Sequence, residues 1–391
     1  MKIKTVYMDI EEVLAQPVQQ HVYPKRPNIF FRMLLRAVSA PDLKATNFKY
    51  REFEMEKLGE KEPCLVLMNH SSFIDLKIAS TVLYPRPLNI VCTSDGFEGK
   101  ERLMRSLGCI PTRKFVTDTQ LVRDMMFALK KLKSSILMYP EASYTFDGTA
   151  TPLPSGLGKC VKLMGVPVVM IRTYGAFARD PLYNGLRLRK VDVSADISYI
   201  LSPEDIRTKT AEDINGILYE QFSFDNFKWQ QENNVKISEP FRAEGLNRVL
   251  YKCPHCGAEG SMESGGADIL CNACGKGYTL TEYGFMEAKE GKTEFPHIPD
   301  WYAWERDCVR QEILKGSYKL DVPVDIYMMV NTRKVYGIGE GRLTHGENGF
   351  RLTGCNGKLD YHQHPLASYS LYSDYFWYEM GDVICIGDAA A

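Results

Sequence analysis

The sequence has no apolar run approaching the ~18 residues of a membrane-spanning helix, and Met1 to Gln20 carries no signal-peptide pattern. It also has no excess of charge of either sign. Lys and Arg number 48 against 49 Asp and Glu, a net charge of −1, so no global field draws the chain to nucleic acid or to an anionic membrane. Any such contact has to be local. A disulfide framework is not suggested either. Of eleven cysteines, four form two C-x-x-C pairs, and Cys64, Cys92, Cys109, Cys160, Cys308, Cys355 and Cys385 are scattered, mostly within apolar runs. Buried thiols in a reducing cytoplasm are the expectation.

What is present is ordinarily globular. The chain has 391 residues, 45% hydrophobic and 25% charged, enough for two or three domains with a sizeable core. The organising stretch is Asn69-His70-Ser71-Ser72-Phe73-Ile74-Asp75, which follows the apolar run Cys64 to Met68. That run is short and bounded by Pro63, so it reads as a buried strand emptying into a loop and then a helix. His70 then stands at a strand's carboxyl end, where open α/β sheets bind ligands. A histidine with a carboxylate five residues on has the parts of a general base and its orienter. Ser72 to Asp75 also fits a helix-start capping box, which would satisfy backbone N–H groups and do no chemistry.

The residues Asn69-His70 with Asp75 resemble the N-H-x-x-x-x-D motif of the glycerolipid acyltransferases, the glycerol-3-phosphate and lysophosphatidic acid acyltransferase family. Three further stretches agree in order and spacing. Gly108-Cys109-Ile110-Pro111-Thr112-Arg113 looks like the second motif, Tyr139-Pro140-Glu141-Ala142-Ser143 like the third, and Val166-Pro167-Val168-Val169 like the fourth. The resemblance spans roughly residues 28 to 230, a normal domain size. It implies fatty acyl transfer from acyl-CoA or acyl carrier protein to the hydroxyl of a lysophospholipid-like acceptor, a 1-acylglycerol-3-phosphate O-acyltransferase-like reaction in phospholipid biosynthesis. His70 would be the base and Asp75 its orienter, with Asn69, Arg113, Glu141 and Ser143 binding substrate. Backbone N–H groups after Ser71 would stabilise the oxyanion. The chain departs from the third motif, whose glycine is Ala142 here and whose arginine is Tyr144. An acceptor without a phosphomonoester, or an amine acceptor giving an N-acylated product, therefore stays open, as does a degenerate domain acting as a binding scaffold.

Around that core, Asn28 to Val38 reads as a short helix with Arg32 and Arg36 spaced by four. It can attach residues 28–40 to a membrane surface with its arginines reaching headgroups, or simply pack on the domain. Alternating strands and helices from Cys64 to Ile200, with an amphipathic helix from Thr117 to Lys133, predict an α/β sheet or sandwich. Lys100, Arg102 and Arg105 read as a solvated helix face, and Lys159 and Lys162 as candidates for a donor phosphate.

Further on, Cys253-Pro254-His255-Cys256 and Cys271-Asn272-Ala273-Cys274 are separated by fourteen residues, and a glycine follows each pair. Two tight turns with two thiolates each supply the tetrahedral shell of structural Zn²⁺, with no open position for catalysis. Few basic residues flank this zinc ribbon, so it reads as an interdomain clamp or a protein-docking tab and not as a nucleic-acid site. Helix Trp301 to Leu314 and seven short strands between Val324 and Ile386 follow, with a hairpin at Gly346-Glu347-Asn348-Gly349. They predict a small all-β barrel or sandwich, pleckstrin-homology-like in outline, that could hold a protein partner. The aromatics Tyr369, Tyr372, Tyr375, Phe376, Trp377 and Tyr378 read as the core of one face or as a recognition patch. The domains expected are a catalytic unit over 1–240, a ribbon over 248–286 and a helix plus β-rich unit over 300–391. The chain is expected in the cytoplasm, peripheral on the cytoplasmic face of the membrane if residues 28–40 attach.

Overall fold

The computed structural model describes residues 5–17, 19–113, 118–331, 334–367, 371–374, 377 and 380–387. The chain opens with β1 (Thr5–Tyr7), α1 (Ile10–Leu14) and, after an irregular strap, α2 (Ile29–Ala45). The α/β unit then runs β2 (Lys49–Phe53), β3 (Leu65–Met68), α3 (Ile74–Val82), β4 (Leu88–Thr93), α4 (Glu101–Ser106), β5 (Cys109–Thr112), α5 (Thr119–Lys130), β6 (Ser135–Met138), α6 (Leu157–Met164), β7 (Val168–Tyr174), α7 (Ala176–Arg179) and β8 (Ser194–Leu201). Helices α8 (Pro203–Thr208), α9 (Ala211–Phe222) and α10 (Asn226–Glu232) close it.

Among the described residues these strands form a seven-stranded sheet in the order β2-β8-β7-β3-β6-β4-β5. All neighbours are parallel except β7 and β8. A parallel sheet is covered on both faces, and its central strands β3 and β6 are buried at every position. Successive side chains point to opposite faces. Val66, Met68, Leu137 and Val169 accordingly pack with Leu43, Ile74 and Ile78 from α2 and α3. Leu65, Leu67, Ile136 and Val168 pack on the other face with Met125, Val161 and Leu218 from α5, α6 and α9. β3 is central, so the loop after Met68 opens at the middle of the sheet's carboxyl edge.

Helix α10 ends in a stretch, Trp229 to Val235, that is mostly exposed or half-buried, while its Phe227 is buried with Phe177, Tyr183, Leu246, Tyr278 and Trp301. This apolar cluster welds the cysteine-bearing unit to the α/β unit. That unit is an antiparallel sheet of β9 (Met262–Gly265), β10 (Asp268–Cys271), β11 (Gly277–Leu280) and β12 (Met286–Ala288), and α11 (Ile298–Leu314) packs against it.

The C-terminal strands are β13 (Leu320–Met328), β14 (Val335–Gly346), β15 (Gly349–Gly354), β16 (Leu359–Gln363), β17 (Tyr372–Asp374) and β18 (Val383–Cys385). The predicted hairpin forms, with Gly346 opposite Gly349. Two predicted strands, Lys334–Ile338 and Arg342–His345, run together as β14. Within it, Gly341 sits where a Cβ would meet the Thr353 carbonyl oxygen at 2.3 Å, so close strand approach requires glycine there. β1 pairs in parallel with β14, and Ile10 and Val13 of α1 pack on Ile326, Tyr336 and Ile338. The start of the chain therefore joins the C-terminal sheet and not the catalytic unit expected over 1–240. Tyr372 and Trp377 are buried, as the core reading expects. Tyr369, Tyr375, Phe376 and Tyr378 lie outside the described residues.

Among the described residues no helix is long and apolar enough to cross a membrane. α2 reverses the expected orientation. Arg36 stacks over the Tyr84 ring at 4.6 Å and Arg32 donates to the Pro85 carbonyl, so both arginines face the protein. Ile29, Phe30, Met33, Leu34 and Val38 are exposed instead.

Candidate active site

The turn after β3 is fixed from both neighbouring strands. On the β7 side, Asn69 Oδ1 accepts the Thr173 N–H at 2.9 Å, and its amide donates to Ser71 Oγ at 3.2 Å. On the β6 side, Glu141 Oε2 accepts the His70 N–H at 2.9 Å, while Glu141 Oε1 accepts the Thr151 N–H at 2.8 Å and its hydroxyl at 3.2 Å. Asn69 and Glu141, expected to bind substrate, are thus buried braces of the His70 backbone. Burial pushes the Glu141 carboxyl up to about 7, against the pull of the Thr151 and His70 amides.

His70 Nδ1 lies 3.2 Å from Asp75 Oδ2, and the Asp75 side chain is 1% exposed. A carboxylate can only accept here, so it holds the proton on Nδ1 and leaves the Nε2 lone pair free to take one. The same Oδ2 accepts the N–H groups of Ser71 at 2.8 Å and Ser72 at 3.0 Å. One carboxylate oxygen thus serves both the two backbone amides before α3 and the His70 ring. This narrows the oxyanion expectation, because the Ser71 and Ser72 amides are committed to Asp75, and the Ile74 amide donates to Ser72 Oγ at 3.2 Å.

Two tyrosine rings enclose the imidazole. Tyr139 lies 4.2 Å from it, centroid to centroid, at 28°, and Tyr144 lies 4.2 Å from it at 40°. Two rings this close cannot overlap one face of the imidazole together, so they take opposite faces. Nδ1 is tied to Asp75, and 22% of the His70 side chain stays exposed. Phe73, largely exposed, meets Tyr144 edge-on at 5.7 Å and forms a rim of the opening.

The remaining expectations separate. Ser143 is half-buried in the loop after β6. Arg113 is exposed at the end of β5, the edge strand. Three strand spacings separate β5 from β3, roughly 14 Å, so the sheet does not bring Arg113 beside His70. Arg105 is buried, bonded to Glu101 at 2.9 Å and to the Val22 carbonyl at 3.1 Å, so it is structural and not solvated. Lys162 caps carbonyls of Ile206 and Lys209.

Sequence reasoning missed Asp180. Ser72 Oγ donates to its carboxylate, and Arg179 pairs with it at 3.2 Å. Burial pushes Asp180 up to about 6 despite both partners. It is 108 residues from Ser72 and had no local signal. Tyr144 was visible as a departure from the third motif, though its stacking on His70 was not. Ala142 stands in the left-handed region at φ 60°, which explains why the motif resembled has glycine there.

In the cysteine-bearing unit, the Sγ atoms of Cys253, Cys256, Cys271 and Cys274 lie within 4.8 Å of one another. Cys253 to Cys274 and Cys256 to Cys271 are both 3.8 Å apart. A tetrahedron of thiolates about 2.3 Å from Zn²⁺ has edges of about 3.8 Å, so the donor set fits zinc. Gly257 and Gly275, at φ 77° and 78°, let each turn fold its amide back on the first cysteine's carbonyl at 2.8 Å.

Residues 50–173, less than half of the chain, match the family model described as Acyltransferase. The matched segment runs from β2 to β7 and contains His70, Asp75 and Glu141. No curated protein matches the chain. Among solved structures, a 1-acyl-sn-glycerophosphate (LPA) acyltransferase, PlsC, from Thermotoga maritima is similar at 14% identity and a TM-score of 0.40, covering 49% of this chain and 76% of that one.

Proposed function

We propose that the chain transfers a fatty acyl group from a thioester, acyl-CoA or acyl carrier protein, to the hydroxyl of a lysophospholipid-like acceptor in phospholipid biosynthesis. The observation that carries this reading is the His70–Asp75 pair at 3.2 Å, with part of the His70 side chain still exposed, inside the segment that matches the acyltransferase family.

In this reading Nε2 of His70 takes the proton of the acceptor hydroxyl as its oxygen attacks the thioester carbonyl. The carbon–sulfur bond breaks, and the imidazolium returns the proton to the departing thiolate. Asp75 steadies the imidazolium, and Glu141 and Asn69 hold the backbone that aims it. No enzyme nucleophile is needed, because the acceptor brings its own. Ser143 contacts the acceptor near the mouth, and Arg113 receives the more distant, charged part of a substrate. The Tyr144 ring, in the position expected to hold arginine, favours an acceptor gripped otherwise than by a phosphomonoester at that spot. An amine acceptor is the second reading that this position supports.

The exposed apolar face of α2 lies on the membrane surface that supplies the lipid. The four cysteines hold a structural Zn²⁺ that braces the joint between the α/β unit and α11.

The test is mass spectrometry of products after incubation with palmitoyl-CoA and a pool of lysolipids and amines. A new acyl product that disappears in a folded His70→Ala protein supports the reading. An undiminished product in that variant overturns it.

A further inference from the structure

We propose that Tyr144, with Tyr139, is a positioning residue that keeps His70 poised as a base and stabilises the positive charge the ring acquires during transfer. The inference rests on the acyl-transfer reading above and adds a role that neither the four motifs nor the family match assigns.

Three observations converge. Both phenol rings lie 4.2 Å from the imidazole centroid, at 28° and 40°. The Nδ1 edge is tied to Asp75, and the His70 backbone is tied on both sides, by Glu141 at the amide and by the Thr145 N–H on the carbonyl at 3.2 Å. Thr145 directly follows Tyr144, so the contact that fixes the His70 carbonyl also fixes the stacking ring. An aromatic face carries negative charge in its quadrupole and attracts a cation above it. The neutral ring gains little from this and the imidazolium gains more, so the sandwich favours the proton-bearing state that forms as the acceptor attacks. The same rings stop the imidazole from turning about its Cβ–Cγ bond.

The test compares Tyr144→Phe, Tyr144→Leu and Tyr144→Ala in the full-length protein, with palmitoyl-CoA and the acceptor found for the wild type. Phe keeps the ring face and should restore most of the rate. Leu fills the space without a π face, and with Ala it should lower kcat roughly tenfold at nearly constant KM. A second measurement needs no turnover. In protein labelled with ¹³C at the histidine ring, the His70 signal, assigned by its loss in His70→Ala, should lie upfield of ordinary histidine through ring currents. It should move downfield in the Leu variant and stay in the Phe variant. Equal kcat for Leu and Phe, or a His70 signal unmoved by Leu, overturns the inference while leaving the acyl-transfer reading intact. Activity that survives His70→Ala overturns that reading and the inference with it.

Discussion

Asp75 Oδ2 receives the Nδ1 edge of His70 at 3.2 Å and the amides of Ser71 and Ser72 at 2.8 and 3.0 Å, so one buried oxygen gathers the turn before helix α3 and the imidazole edge. Structure and chemistry are therefore separable by substitution. Asp75→Asn can keep one acceptor for the two amides but loses the charge that supports an imidazolium. We expect kcat to fall by about a hundredfold or more, with a melting temperature within a few degrees of the wild type. Initial rates alongside thermal melts check this, and an undiminished kcat would remove Asp75 from the mechanism.

Glu141 makes stability depend on pH. Its folded value of about 7 stands above its ordinary 4.5, so the folded state binds the proton more tightly than the unfolded chain. That contribution is fully present below about 4.5 and is lost as pH rises through 7, on the order of a few kcal/mol. Asp180, raised to about 6, acts in the same direction. Glu141→Gln should be less stable than the wild type at pH 5, since an amide offers one acceptor for the bonds two oxygens now accept, and the gap should narrow toward pH 8. Denaturant midpoints across this range decide it, and parallel curves would contradict the assignment.

The cysteine cluster shares its apolar core with Trp301, whose indole N–H donates to the Lys252 carbonyl at 3.0 Å. Elemental analysis should find one zinc per chain. Cys271→Ser, or exhaustive chelation, should lower the melting temperature and shift the tryptophan emission to the red as the cluster opens. Because Phe177, Tyr183 and Phe227 belong to the same core, the loss should reach the α/β unit. A chain that melts identically with and without metal would refute a structural role.

Helix α2 offers Phe30, at 63% exposure, and Met33, at 56%, to the outside. The double substitution Phe30→Glu and Met33→Glu removes the edge-on contact of Phe30 with Phe31 at 5.5 Å and otherwise acts on exposed side chains, so melting should change little. Sedimentation with vesicles of phosphatidylcholine and phosphatidylglycerol should fall several-fold. Equal sedimentation of the variant and the wild type would place lipid contact elsewhere.

The local signals were legible because they are local. The apolar run before Asn69 specifies a strand, four residues stand between His70 and Asp75, and two C-x-x-C turns bring four cysteines together. What joined them was not legible. The turn is braced by Thr173 at Asn69 and by Glu141 and Thr145 at His70, which the sheet order β7-β3-β6 brings alongside, and Asp180 is reached through Ser72 from 108 residues away. The arginines of α2 turned inward because Tyr84 and the Pro85 carbonyl were there to receive them, and β1 crossed the whole chain to pair with β14. Backbone propensity and spacing act over a few residues and are written in the sequence. Which distant groups satisfy a buried carboxylate or cover an imidazole is decided only when the sheet order is set, because burial and hydrogen bonding depend on neighbours in space.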